Sequence, residues 1–97
     1  MQGLAIATAS RPMSHLDPEQ HERLIIGHNI GLKMIETNTS NKELALALDV
    51  QPSQTSNWRR GRIRPSRAHL IELALFFGEK PEWFHVDRTD LDELPAA

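Results

Sequence analysis

The stretch between Ser40 and Ser66 constrains the fold most, because it contains two short helices joined by one tight turn. Ser40 begins the first helix, with Glu43 three residues later at the spacing of a capping box. The second helix begins at Pro52, a residue suited to a first helical turn, and ends at Gly61. Two short helices joined in this way pack the first across the second and leave the second protruding.

Helical signals continue on both sides of this segment. Asp17 and Pro18 form a helix start, and apolar residues beyond them recur every four positions along one face. Gly27 and Gly31 in that helix either weaken it or allow a neighbouring helix to approach closely. The predicted helices span about 18–36, 41–48, 52–60, 67–77 and 81–85. The fourth is the most apolar and is therefore expected to be the central core helix.

The composition favours an all-α fold in a single domain. A chain of 97 residues has room for one core. Tyrosine is absent and valine occurs only at Val50 and Val86, which argues against a sheet. We therefore predict a compact five-helix domain over 17–86, with a flexible arm over 1–16 and an acidic tail over 87–97.

Several chemistries are excluded by what the sequence lacks. It contains no cysteine, so a disulfide scaffold and a thiolate metal site are impossible. The five histidines have no metal-binding spacing. Neither a nucleophile motif nor a phosphate-cradling glycine loop is present, which argues against an enzyme and against a bound cofactor. No apolar run approaches the roughly 20 residues that a membrane span needs.

Charge is distributed unevenly along the chain. The formal net charge is −2, yet five of the eleven basic residues lie between Arg59 and Arg67. No acidic residue occurs between Asp49 and Glu72, whereas acidic residues crowd the C-terminal end. A local basic patch is sufficient to attract a polyanion such as nucleic acid, whatever the net charge.

Two blocks of this sequence resemble the phage lambda repressor and Cro family, also called the XRE-type helix-turn-helix family. The first block matches the family pattern at Ser40, Leu44, Ala45, Leu48, Val50, Trp58, Arg60, Gly61, Arg62 and Pro65. The second matches it at Leu70, Leu73, Ala74, Gly78, Pro81, Glu82, Trp83 and Phe84. Because the two blocks agree in register, the resemblance covers about residues 24–85 and implies a lambda-repressor-like DNA-binding domain.

The sequence also departs from the family pattern. Thr55 replaces a buried aliphatic residue and is expected to loosen the packing of its helix. Met34 and Arg59 stand where many members carry an Arg–Glu pair, so no single buried charge is left behind. The other departures are Asn41, Asp49, Gln51 and Pro52.

The resemblance implies that the helix over 52–60 lies in the major groove of double-stranded DNA and contacts base edges. The residues expected to face the bases are Pro52, Ser53, Gln54, Ser56 and Asn57. Asn57 could bond adenine with both ends of its amide, whereas Pro52 offers only an apolar contact. Phosphate contacts are expected from Asn41, Gln51, Arg60, Arg62 and Arg64.

These features predict a sequence-specific transcriptional regulator, in particular a repressor that binds an inverted-repeat operator as a homodimer. Trp83 and Phe84 are candidates for the dimer surface, although a core position is favoured for both. The alternative is a protein-interaction module, such as an antitoxin that masks a toxin and binds its operator weakly or not at all. Either protein would be bacterial or phage-encoded and cytoplasmic, and DNA binding would bring it to the nucleoid.

Overall fold

The computed structural model describes residues 17–88, so the predicted arm over 1–16 and most of the predicted tail lie outside the described residues. The described chain forms four α-helices and one 3₁₀ helix. These are α1 Pro18–Thr37, α2 Asn41–Leu48, α3 Pro52–Arg59, α4 Arg67–Phe77 and the 3₁₀ helix Pro81–His85. Between residues 17 and 88 there is no strand, and no helix is both long and apolar enough to cross a membrane.

The fifth predicted helix, over residues 81–85, is present as a 3₁₀ helix and not as an α-helix. Two of its backbone bonds join residues three apart, from Trp83 N to Lys80 O at 2.9 Å and from Val86 N to Trp83 O at 3.4 Å. Five residues provide only one or two turns, a length typical of 3₁₀ segments. The all-α prediction holds, with four α-helices in place of five.

The ends of α2 are set by local side-chain and backbone bonds. Ser40 Oγ accepts from Glu43 N at 3.0 Å, and Glu43 Oε1 accepts from Ser40 N at 2.8 Å, which completes the predicted capping box. These hydrogen bonds lower the pKa of the Glu43 carboxyl. At the other end, Asp49 has a φ of 59°, in the left-handed region that the tight turn requires.

Helix α4 belongs to the hydrophobic core, as predicted, but it is buried on one face only. Its buried residues are Leu70, Leu73, Ala74 and Phe77. On the other face, Ile71, Leu75 and Phe76 are 40%, 76% and 43% exposed. The helix is largely apolar in sequence, but the neighbouring helices of this small domain cover only one side. Three apolar side chains therefore remain open to solvent, on a face that also carries the exposed Glu72.

One buried amide, that of Asn29, helps to hold the C-terminal 3₁₀ helix on α1. Asn29 is 0% exposed, and its Nδ2 donates to both Phe84 O and Val86 O at 2.8 Å. Phe84 is also 0% exposed and lies within the hydrophobic core. The proposal that Phe84 belongs to a dimer surface is therefore wrong, whereas Trp83 is half-buried at the edge of the core.

Lys33 provides a second link between α1 and the C-terminal segment. Its Nζ lies 2.6 Å from Glu79 Oε2 and 2.8 Å from Glu36 Oε1, although the residue is only 8% exposed. The hydrogen bond to Glu36 and, to a smaller extent, the hydrogen bond to Glu79 raise the pKa of this amine above its usual 10.5. A raised pKa means that the contribution of Lys33 to stability is complete below pH 10.5 and is lost only as the pH rises through the higher value.

Candidate nucleic-acid interface

Helix α3 is fixed to the protein by its inner face, where Thr55 and Trp58 are buried. The Trp58 side chain is 1% exposed and belongs to the main hydrophobic cluster, as predicted. Gly27 of α1 packs against the backbone at the C-terminal end of α3. A Cβ at Gly27 would lie 2.5 Å from Trp58 O and 2.6 Å from Arg59 O, so this glycine permits close packing. A backbone-to-backbone contact with α1 thus helps to fix the inner side of α3.

The outer face of α3 carries the residues predicted to contact bases. Since the inner side is fixed by the two buried residues, the 3.6-residue period directs Ser53 and Asn57 outward. Ser56 lies next to them, and Pro52 and Gln54 flank the same face. Pro52 and Ser53 are exposed, and the other three are half-buried. The structure thus brings all five onto the accessible part of one helix.

Asn41, predicted to contact a phosphate, uses both ends of its amide inside the protein. Its Nδ2 donates to Pro52 O at 2.9 Å, and its Oδ1 accepts from Thr55 Oγ1 at 2.8 Å. Thr55 is 0% exposed, yet its hydroxyl has a partner across the α2–α3 junction. A buried hydroxyl that donates a hydrogen bond carries little penalty. The expectation that Thr55 loosens the packing is therefore wrong.

A basic loop over residues 60–66 follows α3, and Gly61 forms its first tight turn. Gly61 has a φ of 74°, and its carbonyl accepts from Arg23 Nε at 3.2 Å. It also contacts α1 closely, because a Cβ there would lie 2.5 Å from Leu24 Cδ2. Arg60 and Arg62, on either side of this glycine, are exposed. The tight turn therefore keeps two cationic side chains beside the C-terminal end of α3.

The N-terminal end of α3 presents Gln51. This residue is the N-cap of α3, is exposed, and makes no side-chain capping hydrogen bond. The Gln51 amide is thus not held by a capping bond to its own helix. A phosphate contact from Gln51, like those from Arg60 and Arg62, stays a prediction that the geometry permits.

Arg64 differs from the other predicted phosphate ligands, because an acidic residue of α1 already contacts it. Arg64 Nη1 lies 2.8 Å from Glu22 Oε1, and Glu22 Oε2 lies 3.1 Å from His85 Nδ1. Glu22 therefore joins α1, the basic loop and the 3₁₀ helix. A DNA phosphate would have to compete with this carboxylate for Arg64.

Removal of the Glu22 charge is expected to strengthen binding to any DNA duplex. Glu22→Gln should release Arg64 for a phosphate, tighten binding about two- to fivefold, and steepen the dependence of log K on log salt by about one. Fluorescence anisotropy of a labelled duplex across a salt series would measure both. Glu19→Gln is the control. It also removes one negative charge from α1, but Glu19 lies one turn before Glu22 and contacts a different arginine, Arg23. Equal effects of the two substitutions would show that only net charge matters.

Sequence reasoning missed Glu22 because no local pattern marks it. Glu22 and Arg64 are 42 residues apart, and only the packing of α1 beside the basic loop brings them together. In the sequence, the segment between Asp49 and Glu72 contains no acid. The folded protein nevertheless places a carboxylate within the basic region.

Comparison with known proteins agrees with this geometry. Residues 32–84, more than half of the chain, match the helix-turn-helix family. No curated protein matches the chain. Among solved structures, the chain is similar to a hypothetical transcription factor, NHTF, from Neisseria, at 20% sequence identity and a TM-score of 0.67. The alignment covers 84% of this chain and 93% of the other, so the two share a fold.

Proposed function

The chain belongs to the helix-turn-helix family, and from this premise we propose that it is a sequence-specific DNA-binding transcriptional regulator. In this proposal α3 lies in the major groove, and Ser53 and Asn57 contact base edges. Arg60 and Arg62 contact phosphates on the adjacent backbone. By occupying its operator the domain would exclude other proteins from it, so we propose repression as the mode of regulation.

The observation that carries the proposal is the division of α3 into two faces. Its inner face is fixed by Thr55, Trp58 and the Gly27 contact, whereas its outer face is polar and accessible. Trp58 is the only large apolar residue of this helix, so the helix makes few apolar contacts and needs a reason to be held rigidly at a surface. Readout of bases supplies that reason, because direct contacts require a helix of fixed position.

The test is selection of binding sites from a random-sequence duplex pool at near-physiological salt. We expect an inverted repeat whose half-sites lie about one helical turn, roughly 34 Å, apart. Asn57→Ala should relax the preference at one base position, at a cost of about 1–3 kcal/mol, and Arg62→Ala should weaken all sites and reduce the salt slope by about one. Recovery of no motif by the wild-type protein would reject operator reading. The fold would then be better interpreted as a scaffold for a protein partner, as in the antitoxin alternative.

A homodimer is part of the proposal, and the open face of α4 supports it. Ile71, Leu75 and Phe76 are exposed around Glu72, on a helix that does not take part in the proposed DNA contacts. An inverted repeat requires a two-fold dimer, in which the same surface of each protomer meets. Because only three apolar side chains are exposed there, we expect a weak dimer in solution that forms fully on DNA.

Substitution of Leu75 tests this surface. Leu75 is 76% exposed, and Leu75→Glu should raise the dimer dissociation constant tenfold or more, because a carboxylate would have to be buried at the interface (a tenfold change is about 1.4 kcal/mol). Sedimentation equilibrium and the stoichiometry of gel shifts would measure the change. Leu46→Glu is the matched control, since Leu46 is 81% exposed on α2. If Leu46→Glu dissociates the dimer and Leu75→Glu does not, the interface lies elsewhere.

A further inference from the structure

We propose that Asn41 and Thr55 form a positioning pair that fixes α3 relative to α2 for base readout, and that Asn41 is not a phosphate ligand. This inference rests on the proposed function. The N-terminal end of α3 is weak, because its N-cap residue, Gln51, makes no side-chain capping bond. A helix of eight residues with an uncapped start would fray at its first turn. That first turn carries Pro52 and Ser53, at the front of the proposed DNA-contacting face.

The amide of Asn41 supplies the missing restraint. Asn41 Nδ2 donates to Pro52 O at 2.9 Å, so the side chain from α2 binds the first carbonyl of α3. Thr55 Oγ1 lies 2.8 Å from Asn41 Oδ1 and 3.0 Å from Pro52 O. The Thr55 hydroxyl has a single proton to donate. Because Pro52 O already accepts from Asn41 Nδ2, we assign this proton to the shorter bond, with Asn41 Oδ1 as acceptor. The two bonds fix the orientation of the amide, with its oxygen toward the donor and its nitrogen toward the acceptor.

Burial makes this junction rigid. Thr55 is 0% exposed, and a β-branched side chain has few allowed χ1 rotamers. The hydrogen bond therefore connects a half-buried residue of α2 with a side chain that cannot turn away. A shift of α3 along or around its axis would break both bonds, so the pair determines where Ser53 and Asn57 lie. Base contacts tolerate displacements of only about 0.5 Å, which makes such a restraint functionally important.

The pair has a signature that separates it from a phosphate contact. Loss of a phosphate ligand weakens binding to all sequences and reduces the salt slope by about one. Loss of a positioning pair weakens binding to the selected site, leaves the salt slope unchanged, and hardly affects a scrambled duplex. Because Asn41 and Thr55 act through the same bond, the second substitution should add little to the first.

The experiment uses the full chain, the duplex recovered from the random pool, and a scrambled duplex of equal length. Asn41→Ala and Thr55→Val should each weaken binding to the selected duplex about five- to twentyfold, with binding to the scrambled duplex unchanged and the double substitution no worse than either single one. Thr55→Ser keeps the hydroxyl and should retain near wild-type discrimination. A salt slope reduced by about one in Asn41→Ala, with equal weakening on both duplexes, would overturn the proposal.

Hydrogen exchange in the absence of DNA keeps this test independent of the proposed function. Asn41→Ala and Thr55→Val should each accelerate exchange at the backbone amides of the first turns of α3, again without additivity. If the wild-type protein fails to prefer any duplex, operator reading is rejected, and the pair is judged by exchange alone. Unchanged hydrogen exchange of α3 in both variants would overturn the proposal that Asn41 and Thr55 position this helix, whatever the DNA result.

Discussion

The Gly27→Ala variant is expected to lose about 3 kcal/mol or more of unfolding free energy, a large part of the total for a domain of this size. The added methyl would lie 2.5 Å from Trp58 O and 2.6 Å from Arg59 O. Both atoms belong to the backbone at the end of α3, which cannot rotate away as a flexible side chain could. Relief of the clash requires α1 and α3 to separate. Urea unfolding followed by tryptophan fluorescence would measure the loss.

Gly31→Ala is the matched control for this substitution. Gly31 lies one turn further along the same helix, and a Cβ there would meet nothing within 4 Å. Because alanine favours the helical conformation over glycine, this variant should gain up to about 1 kcal/mol. A similar loss of stability in both variants would contradict the clash and point to a general sensitivity of α1.

The Gly27→Ala variant should also discriminate poorly between operator and scrambled duplex, since α3 would be displaced.

The Asn29→Ala variant is expected to lose about 2–4 kcal/mol of unfolding free energy, because two hydrogen bonds disappear and a small cavity remains. Asn29 Nδ2 donates to Phe84 O and Val86 O, and both bonds measure 2.8 Å. Without that group, Phe84 O loses its donor at a site where Asn29 itself is 0% exposed, and Val86 O keeps the longer bond from Arg88 Nη1 at 3.3 Å. Urea unfolding would give the free energy, and Trp83 fluorescence would report early release of the C-terminal 3₁₀ helix.

Asn29→Asp refines this prediction, because it keeps the shape of the side chain and replaces the N–H donor with an acceptor. A carboxylate facing two carbonyl oxygens should cost at least as much as the alanine substitution at pH 7. Asn57→Ala is the control, since it removes the same amide from a half-buried position on the outer face of α3. We expect a change within about 0.5 kcal/mol for it. A small effect of both substitutions at Asn29 would show that other contacts hold the C-terminal segment.

The two large effects share a structural origin. Gly27 and Asn29 lie two residues apart on α1, one against the end of α3 and the other against the 3₁₀ helix. Helix α1 is therefore the element that organises the described domain, although α4 has the more apolar sequence. The stability of the candidate DNA-binding face thus depends on residues that would never contact DNA.

The starts and ends of the helices follow from the sequence, because the signals that set them act over a few residues. Ser40 and Glu43 cap α2 through bonds that span three positions, and Gly78 ends α4 in the left-handed conformation. Asp49 adopts the same conformation at the turn before α3. The burial of Trp58 also follows, since it is the only large apolar residue of a polar helix.

The tertiary structure alone decided which faces are covered and which polar groups meet. The outward position of Leu75 depends on how few elements surround α4, and the contact between Glu22 and Arg64 joins residues 42 apart. The bond from Asn29 to Phe84 O spans 55 residues, and that from Thr55 to Asn41 crosses from one helix to another. Periodicity and capping specify local backbone geometry. Contacts between distant residues depend instead on how the helices are placed in space, which is a property of the assembled core.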